Sequence, residues 1–184
     1  MKIYKSEQSG RSMVEMLGVL AIIGVLSVAG IAGYSKAMAK YKLSKTTDQV
    51  SMIVANIRTL YSGQRNYSGL ATDSVVSFGV IPSEMVNGDK VMNAFAGEVT
   101  FGTSPVNNVA DLAFTVKFAG LNRDACVSLA SADWGSDSSS GLVSIQVGSQ
   151  AALSGSNLPV SLANAAAGCD CGSNATCSIE WTYL

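Results

Sequence analysis

The sequence predicts an α+β chain in which one long N-terminal helix, apolar in its first half and amphipathic in its second, packs on an antiparallel β-sheet. Three observations predict it. An apolar run from Met13 to Gly33 passes without proline into an amphipathic stripe that ends at Gly63. The composition then shifts to Gly, Ser, Asn and Thr. Beyond the shift, short alternating stretches are separated by turns rather than by crossover helices. The expected organisation is a leader at 1–10, a helix at 11–62 with a membrane or partner-helix segment at 13–33, and a head at 63–184.

The apolar run comes first. Hydrophobic residues make up 48% of the 184 residues and charged ones 14%, which calls for a search for a membrane segment. The 21 positions from Met13 to Gly33 span ~31 Å as a helix, about the hydrocarbon thickness of a bilayer. An ordinary secretory signal is cut after its apolar region. Here the run leads directly into a lysine-rich helix, so the segment is expected to stay in the mature protein.

Glu15 lies inside the run. An unpaired carboxylate at a bilayer centre costs ~2.5–3.5 kcal/mol. Cleavage after Gly10 would supply a partner, because Arg11 would then carry a new α-ammonium, largely charged at neutral pH. Pairing that ammonium across copies costs far less than leaving the acid alone.

The run Gly10-Arg11-Ser12-Met13-Val14-Glu15-Met16-Leu17 resembles the class III signal of type IV prepilins and pseudopilins. The polar leader ends in Gly, Glu stands fifth after the cut, and about twenty apolar residues follow. The resemblance implies cleavage by a prepilin peptidase, usually with N-methylation, and neutralisation of a neighbour's N-terminus by Glu15. It also implies the pilin fold. Two positions depart from the pattern: Arg11 replaces an apolar first residue, and Ala32 stands where many members have a helix-kinking proline. Ala29, Gly33 and Ala37 recur at every fourth position, a small-residue stripe that would let apolar helices approach closely.

Past Gly33 the helix turns amphipathic. Val50, Ile53, Val54, Ile57, Leu60 and Tyr61 follow the i, i+3, i+4, i+7 pattern. A helix from Ser12 to Ser62 would be ~75 Å long, too long to bury within one small domain. In the head, Asn66–Asn93 reads as a long connection with a strand at Ser74–Val80, and Glu98–Phe101 as a further strand. Leu112, Phe114, Val116 and Phe118 alternate within Asp111–Phe118. A helix is expected at Arg123–Trp134, capped by Asn122 and closed by Gly135. Leu142–Val147 and the end, through Ile179, Trp181 and Tyr183, complete the strands.

Charge is divided along the chain. Residues 1–65 hold nine basic and three acidic side chains, residues 66–184 three and ten. A basic stem and an acidic head suit stacking of one copy's head on another's stem. The net charge of −1 argues against stable nucleic-acid binding. The positive-inside rule alone would place the head in the cytoplasm. Its cysteines and the processing site at Gly10 argue for the other side.

Four cysteines, Cys126, Cys169, Cys171 and Cys177, all lie in the head, as suits an oxidising compartment. A Cys169–Cys171 bond would be strained. Cys126 is therefore expected to join one late cysteine and Cys177 the other. A zinc site fits poorly, because the C-x-C spacing is too short and Cys126 stands apart; no metal and no cofactor is expected. The segment Arg123–Ala130 together with the late cysteines is similar to the type IVb branch, especially PilS-type pilins of thin conjugative or adhesive pili.

With no histidine and no nucleophile–base pattern, an enzyme is not expected. The expected function is a structural subunit of a type IV pilus, serving adhesion or DNA transfer. The subunit would be inserted in the bacterial inner membrane, cut after Gly10 by prepilin peptidase, and polymerised by the assembly machinery into an extracellular filament of identical copies. The alternatives are a pseudopilin of a type II secretion system and a single-pass membrane protein whose head binds a ligand.

Overall fold

A computed structural model describes residues 13–135, 140–172 and 176–184. The chain divides into two compact units at Lys40/Tyr41. One helix, α1 (Met13–Tyr61), runs through the division without interruption. Its expected end at 62 agrees to within one residue, and its expected start at 11 lies outside the described residues.

In the first unit, α1 has no buried side chain among residues 13–37. In the second, Thr46, Gln49, Val50, Ile53, Val54 and Ile57 are buried. These positions form one stripe, and that stripe joins the core of the head.

The head continues with α2 (Thr72–Ser77), then β1 (Val86–Asn87), β2 (Lys90–Met92), β3 (Glu98–Val106) and β4 (Val109–Leu121). After these come α3 (Arg123–Ala130), β5 (Leu142–Val147), β6 (Leu153–Ser154), α4 (Leu162–Gly168) and β7 (Cys177–Tyr183). The strands form one sheet in the order β1-β2-β3-β4-β7-β5-β6, with every pair antiparallel. The last strand therefore enters the middle of the sheet.

The register separates the two faces. Phe101 pairs with Val116, Val116 with Trp181, and Trp181 with Ile145, a row of four buried apolar residues. One residue along, Thr100, Lys117, Glu180 and Gln146 form a polar row. Apolar-in, polar-out alternation is the signature of a sheet covered on one face. Trp181 is fully buried, edge-on to Phe118 at 5.7 Å and to Trp134 at 5.1 Å between ring centres.

Three expectations in the head need correction. Ser74–Val80 is not a strand. Residues 72–77 form a helical turn in which Val75 N donates to Ala71 O and Phe78 N to Ser74 O. Winding buries Val75 alone and leaves Phe78 half exposed, and Gly79 ends the turn at a φ of +67°. Strands β3 and β4 are longer than expected. Asn107 and Asn108, both at positive φ, make the two-residue turn that lets the hairpin zip to its tip.

The helix expected at Arg123–Trp134 stops at Ala130. The Trp134 indole N–H donates to Leu129 O at 2.7 Å, taking the carbonyl that a continuing helix would need. At its start, Asn122 accepts from Ala125 N as expected. Helix α4 lies in a stretch for which no element was expected. Ser161 caps it by accepting from Asn164 N.

Two glycine pairs set the sheet's ends. Gly97 and Gly120 approach so closely that a Cβ on Gly97 would fall 1.8 Å from Ala119 O. Asn93, buried in the same corner, donates to Ala119 O and accepts from Phe95 N and Gly97 N. Gly148 similarly lets the sheet meet Gly168 at the end of α4.

Candidate assembly surface

The described part of the first unit is a helix whose large apolar side chains are left uncovered by the described residues. Val25 is 72% exposed, Leu26 65% and Ile31 70%. None of its most apolar eighteen-residue stretch is buried, and it is long and apolar enough to cross a membrane. Burial of apolar surface stabilises by about 25 cal/mol per Å². Such a surface is therefore a strong drive toward lipid or toward other helices.

Glu15 stands in the first turn of α1, exposed and without a partner among the described residues. Gly10 and Arg11, the expected cleavage pair, lie outside the described residues. Ala29, Gly33 and Ala37 are exposed on one side of the helix. A Cβ built on Gly33 would meet nothing within 4 Å, and the same holds at Gly18, Gly24 and Gly30. No contact among the described residues requires these glycines.

The head is closed by covalent bonds. Cys126 on α3 is bonded to Cys169 at the end of α4, and Cys171 to Cys177 at the start of β7. All four sulfurs are thereby used. The first bond joins the two helices flanking the sheet, and the second ties the loop before the central strand.

Arg58, which the sequence alone does not single out, connects three parts of the head. Its guanidinium donates to Leu184 O at 3.0 Å and to Ser140 O at 2.6 Å, and lies 5.0 Å from the centre of the Tyr183 ring. Thus α1, the loop before β5 and the end of β7 meet at one cation. A basic residue flanked by Val54, Ile57 and Tyr61 on an apolar stripe was the available signal. Burial pushes the Tyr183 hydroxyl up to about 12, offset in part by the Arg58 charge. Tyr67 is raised for the same reasons.

Comparison with known proteins supports the same kind of molecule. The family described as PilS N terminal matches residues 40–182. The chain belongs to the PilS family of type IVb pilins. Two relatives of this pilin, from Escherichia coli O127:H6 and Escherichia coli O111:H-, are each described as the major structural subunit of bundle-forming pilus. Each is 28% identical over 133 residues, covering 71% of this chain and 68% of the relative.

Two solved structures share the fold of this pilin. A type IVb pilin from Salmonella typhi matches with a TM-score of 0.54 at 18% identity, over 78% of this chain and 98% of that one. TcpA, a type IV pilin from Vibrio cholerae El Tor biotype, gives 0.51 at 15% identity, over 78% and 99%. The family match begins at Lys40. The pilin's head thus carries the relationship, while residues 1–39 are read from their own chemistry.

Proposed function

We propose that this pilin is the structural subunit of a type IV pilus, held in the bacterial inner membrane as a precursor and polymerised into an extracellular filament. The observation that carries this is the pairing of a pilin head that has its own core with an apolar helix that none of the described residues covers. A protein of this family with so much unsatisfied surface needs a bilayer before assembly and like helices after it. The family relationship favours neither the secretion pseudopilin nor a non-polymerising ligand-binding protein.

The route from one state to the other runs through the first fifteen residues. Prepilin peptidase cuts after Gly10 and frees the amine of Arg11. Glu15 of an adjoining copy accepts that charge, setting the register as the assembly machinery adds the subunit. Ala29, Gly33 and Ala37 let neighbouring helices pack closely.

Mass spectrometry of the subunit, taken both from sheared filaments and from the cell membranes, tests the whole route. The expected mature chain begins at Arg11, with or without a methyl group on its amine. A chain that still begins at Met1 and never polymerises would refute it.

A further inference from the structure

Lys36 and Lys40 stand four residues apart on α1, both exposed. The two lysines that follow are already engaged. Lys42 lies 5.9 Å from the centre of the Phe95 ring, and Lys45 pairs with Glu84 at 3.2 Å. Lys36 and Lys40 have no partner among the described residues. Their spacing places the two ammonium groups on one helical face, where like charges repel. From Met16 to Thr47 the sequence holds no carboxylate, so the helix itself offers no counter-ion nearby.

Their position along the helix points to a partner. They follow directly on the Met13–Gly33 run, whose length matches a bilayer core. Tyr34, between the run and the lysines, is 66% exposed. A tyrosine and lysines at the end of such a run are the composition of a membrane–water boundary. There the lysine stems lie along apolar surface while their heads reach the polar layer.

We propose that Tyr34, Lys36 and Lys40 form an interfacial anchor that binds the phosphates of anionic phospholipids in the leaflet on the head side. The proposal rests on the membrane-inserted precursor described above. The lipid supplies the counter-charge that the helix lacks and holds the helix at a fixed depth until the subunit leaves the bilayer. It also accounts for a positive flank on the head side, where the charge rule taken alone would not place one.

The test uses the full chain reconstituted in phosphatidylcholine vesicles with phosphatidylglycerol as the minor lipid. Spin-labelled forms of the two lipids report which one the protein holds, and resistance to carbonate extraction reports insertion. The expected preference for phosphatidylglycerol is about fivefold per lysine at low ionic strength, and salt weakens it. In K36Q/K40Q the preference falls toward unity while insertion is unchanged; K36R/K40R retains it. Equal preference in the wild type and K36Q/K40Q overturns the anchor and leaves the membrane reading standing. Failure of every form to insert overturns the membrane reading. Unchanged lipid preference together with lost filaments in K36Q/K40Q assigns the lysines to the acidic head of a neighbouring copy, and likewise overturns the lipid site.

Discussion

Residues 13–40 and 41–61 belong to one helix, yet they solve opposite problems. The later half buries Val50, Ile53 and Ile57 completely, and its polar residues bond within the head: Asn56 donates to Val80 O, and Arg58 to Leu184 O. The earlier half leaves Val25, Val28 and Ile31 about 70% exposed. Backbone hydrogen bonding is the same in both halves, so the difference lies in the side chains and in what covers them. Most helical stability in proteins comes from tertiary packing. The second half finds that packing within the chain, and the first must find it outside. A pilin can therefore fold its head before it meets another copy and still reserve a surface for polymerisation.

Substitutions in the two halves should separate cleanly. The largest effect is expected at Glu15. In the proposed filament, Glu15→Ala would remove one partner of a buried ion pair, a change that costs about 3–5 kcal/mol where both charges are desolvated. Filament yield should fall by about tenfold or more, measured as sheared pilin per cell, while insertion, cleavage and the melting of the head stay as in the wild type. Filaments at normal yield would remove Glu15 from the register. A lowered head melting temperature would break the separation of the two halves.

In the head, the largest losses follow from the disulfides. Cys126 and Cys169 are 43 residues apart, Cys171 and Cys177 only 6. Loop-closure entropy assigns ~4 kcal/mol to the longer loop and ~2 kcal/mol to the shorter. Replacing Cys126 and Cys169 by Ser should therefore lower denaturant stability by about twice as much as replacing Cys171 and Cys177. Equal losses would show that packing around the bonds, not loop length, sets their contribution.

A matched pair of core and stem substitutions sharpens the comparison further. Ile53→Ala opens a cavity in a fully packed site and should cost ~2–5 kcal/mol of head stability. Leu26→Ala, at a side chain 65% exposed in the chain alone, should change head stability by less than ~0.5 kcal/mol. In the assembled filament the order should reverse, with Leu26→Ala lowering filament melting and Ile53→Ala acting through the head alone.

The long helix and the head also differ in how much of each is legible in the sequence. Long-range periodicity is a robust signal, so the end of α1 is legible to within a residue, as are β5 and the alternating faces of β4 and β7. The errors gathered where a local hydrogen bond outweighs pattern. Trp134 cuts α3 short by taking the Leu129 carbonyl, a contact five residues back that composition does not reveal. Val75 and Val76 suggest a strand, but burial of Val75 alone favours a turn of helix. The insertion of β7 between β4 and β5 is a long-range choice that no local pattern encodes. Within the proposed assembly surface, Glu15 is conspicuous because a carboxylate in an apolar run is costly, and its role there is a proposal. Arg58 is not conspicuous, since a cation in the last turn of a helix looks ordinary until its acceptors are seen.

The smallest expected effect concerns pH and belongs to the head. Tyr183 is buried against Phe114, and its hydroxyl is raised from the ordinary 10.0 to about 12. Folding thus favours the neutral phenol. Its contribution to stability is complete below about pH 10 and is lost progressively as pH rises toward 12, because the unfolded chain ionises first. Head stability followed by denaturant titration should decline across that window. Tyr183→Phe should flatten the decline, leaving a smaller slope from Tyr67, which burial also raises. Arg58→Gln should steepen it, because the guanidinium over the ring is the charge that restrains the rise. If Tyr183→Phe keeps the full slope, the alkaline loss arises elsewhere in the head, and the Arg58–Tyr183 contact joins α1 to the end of the chain by packing alone.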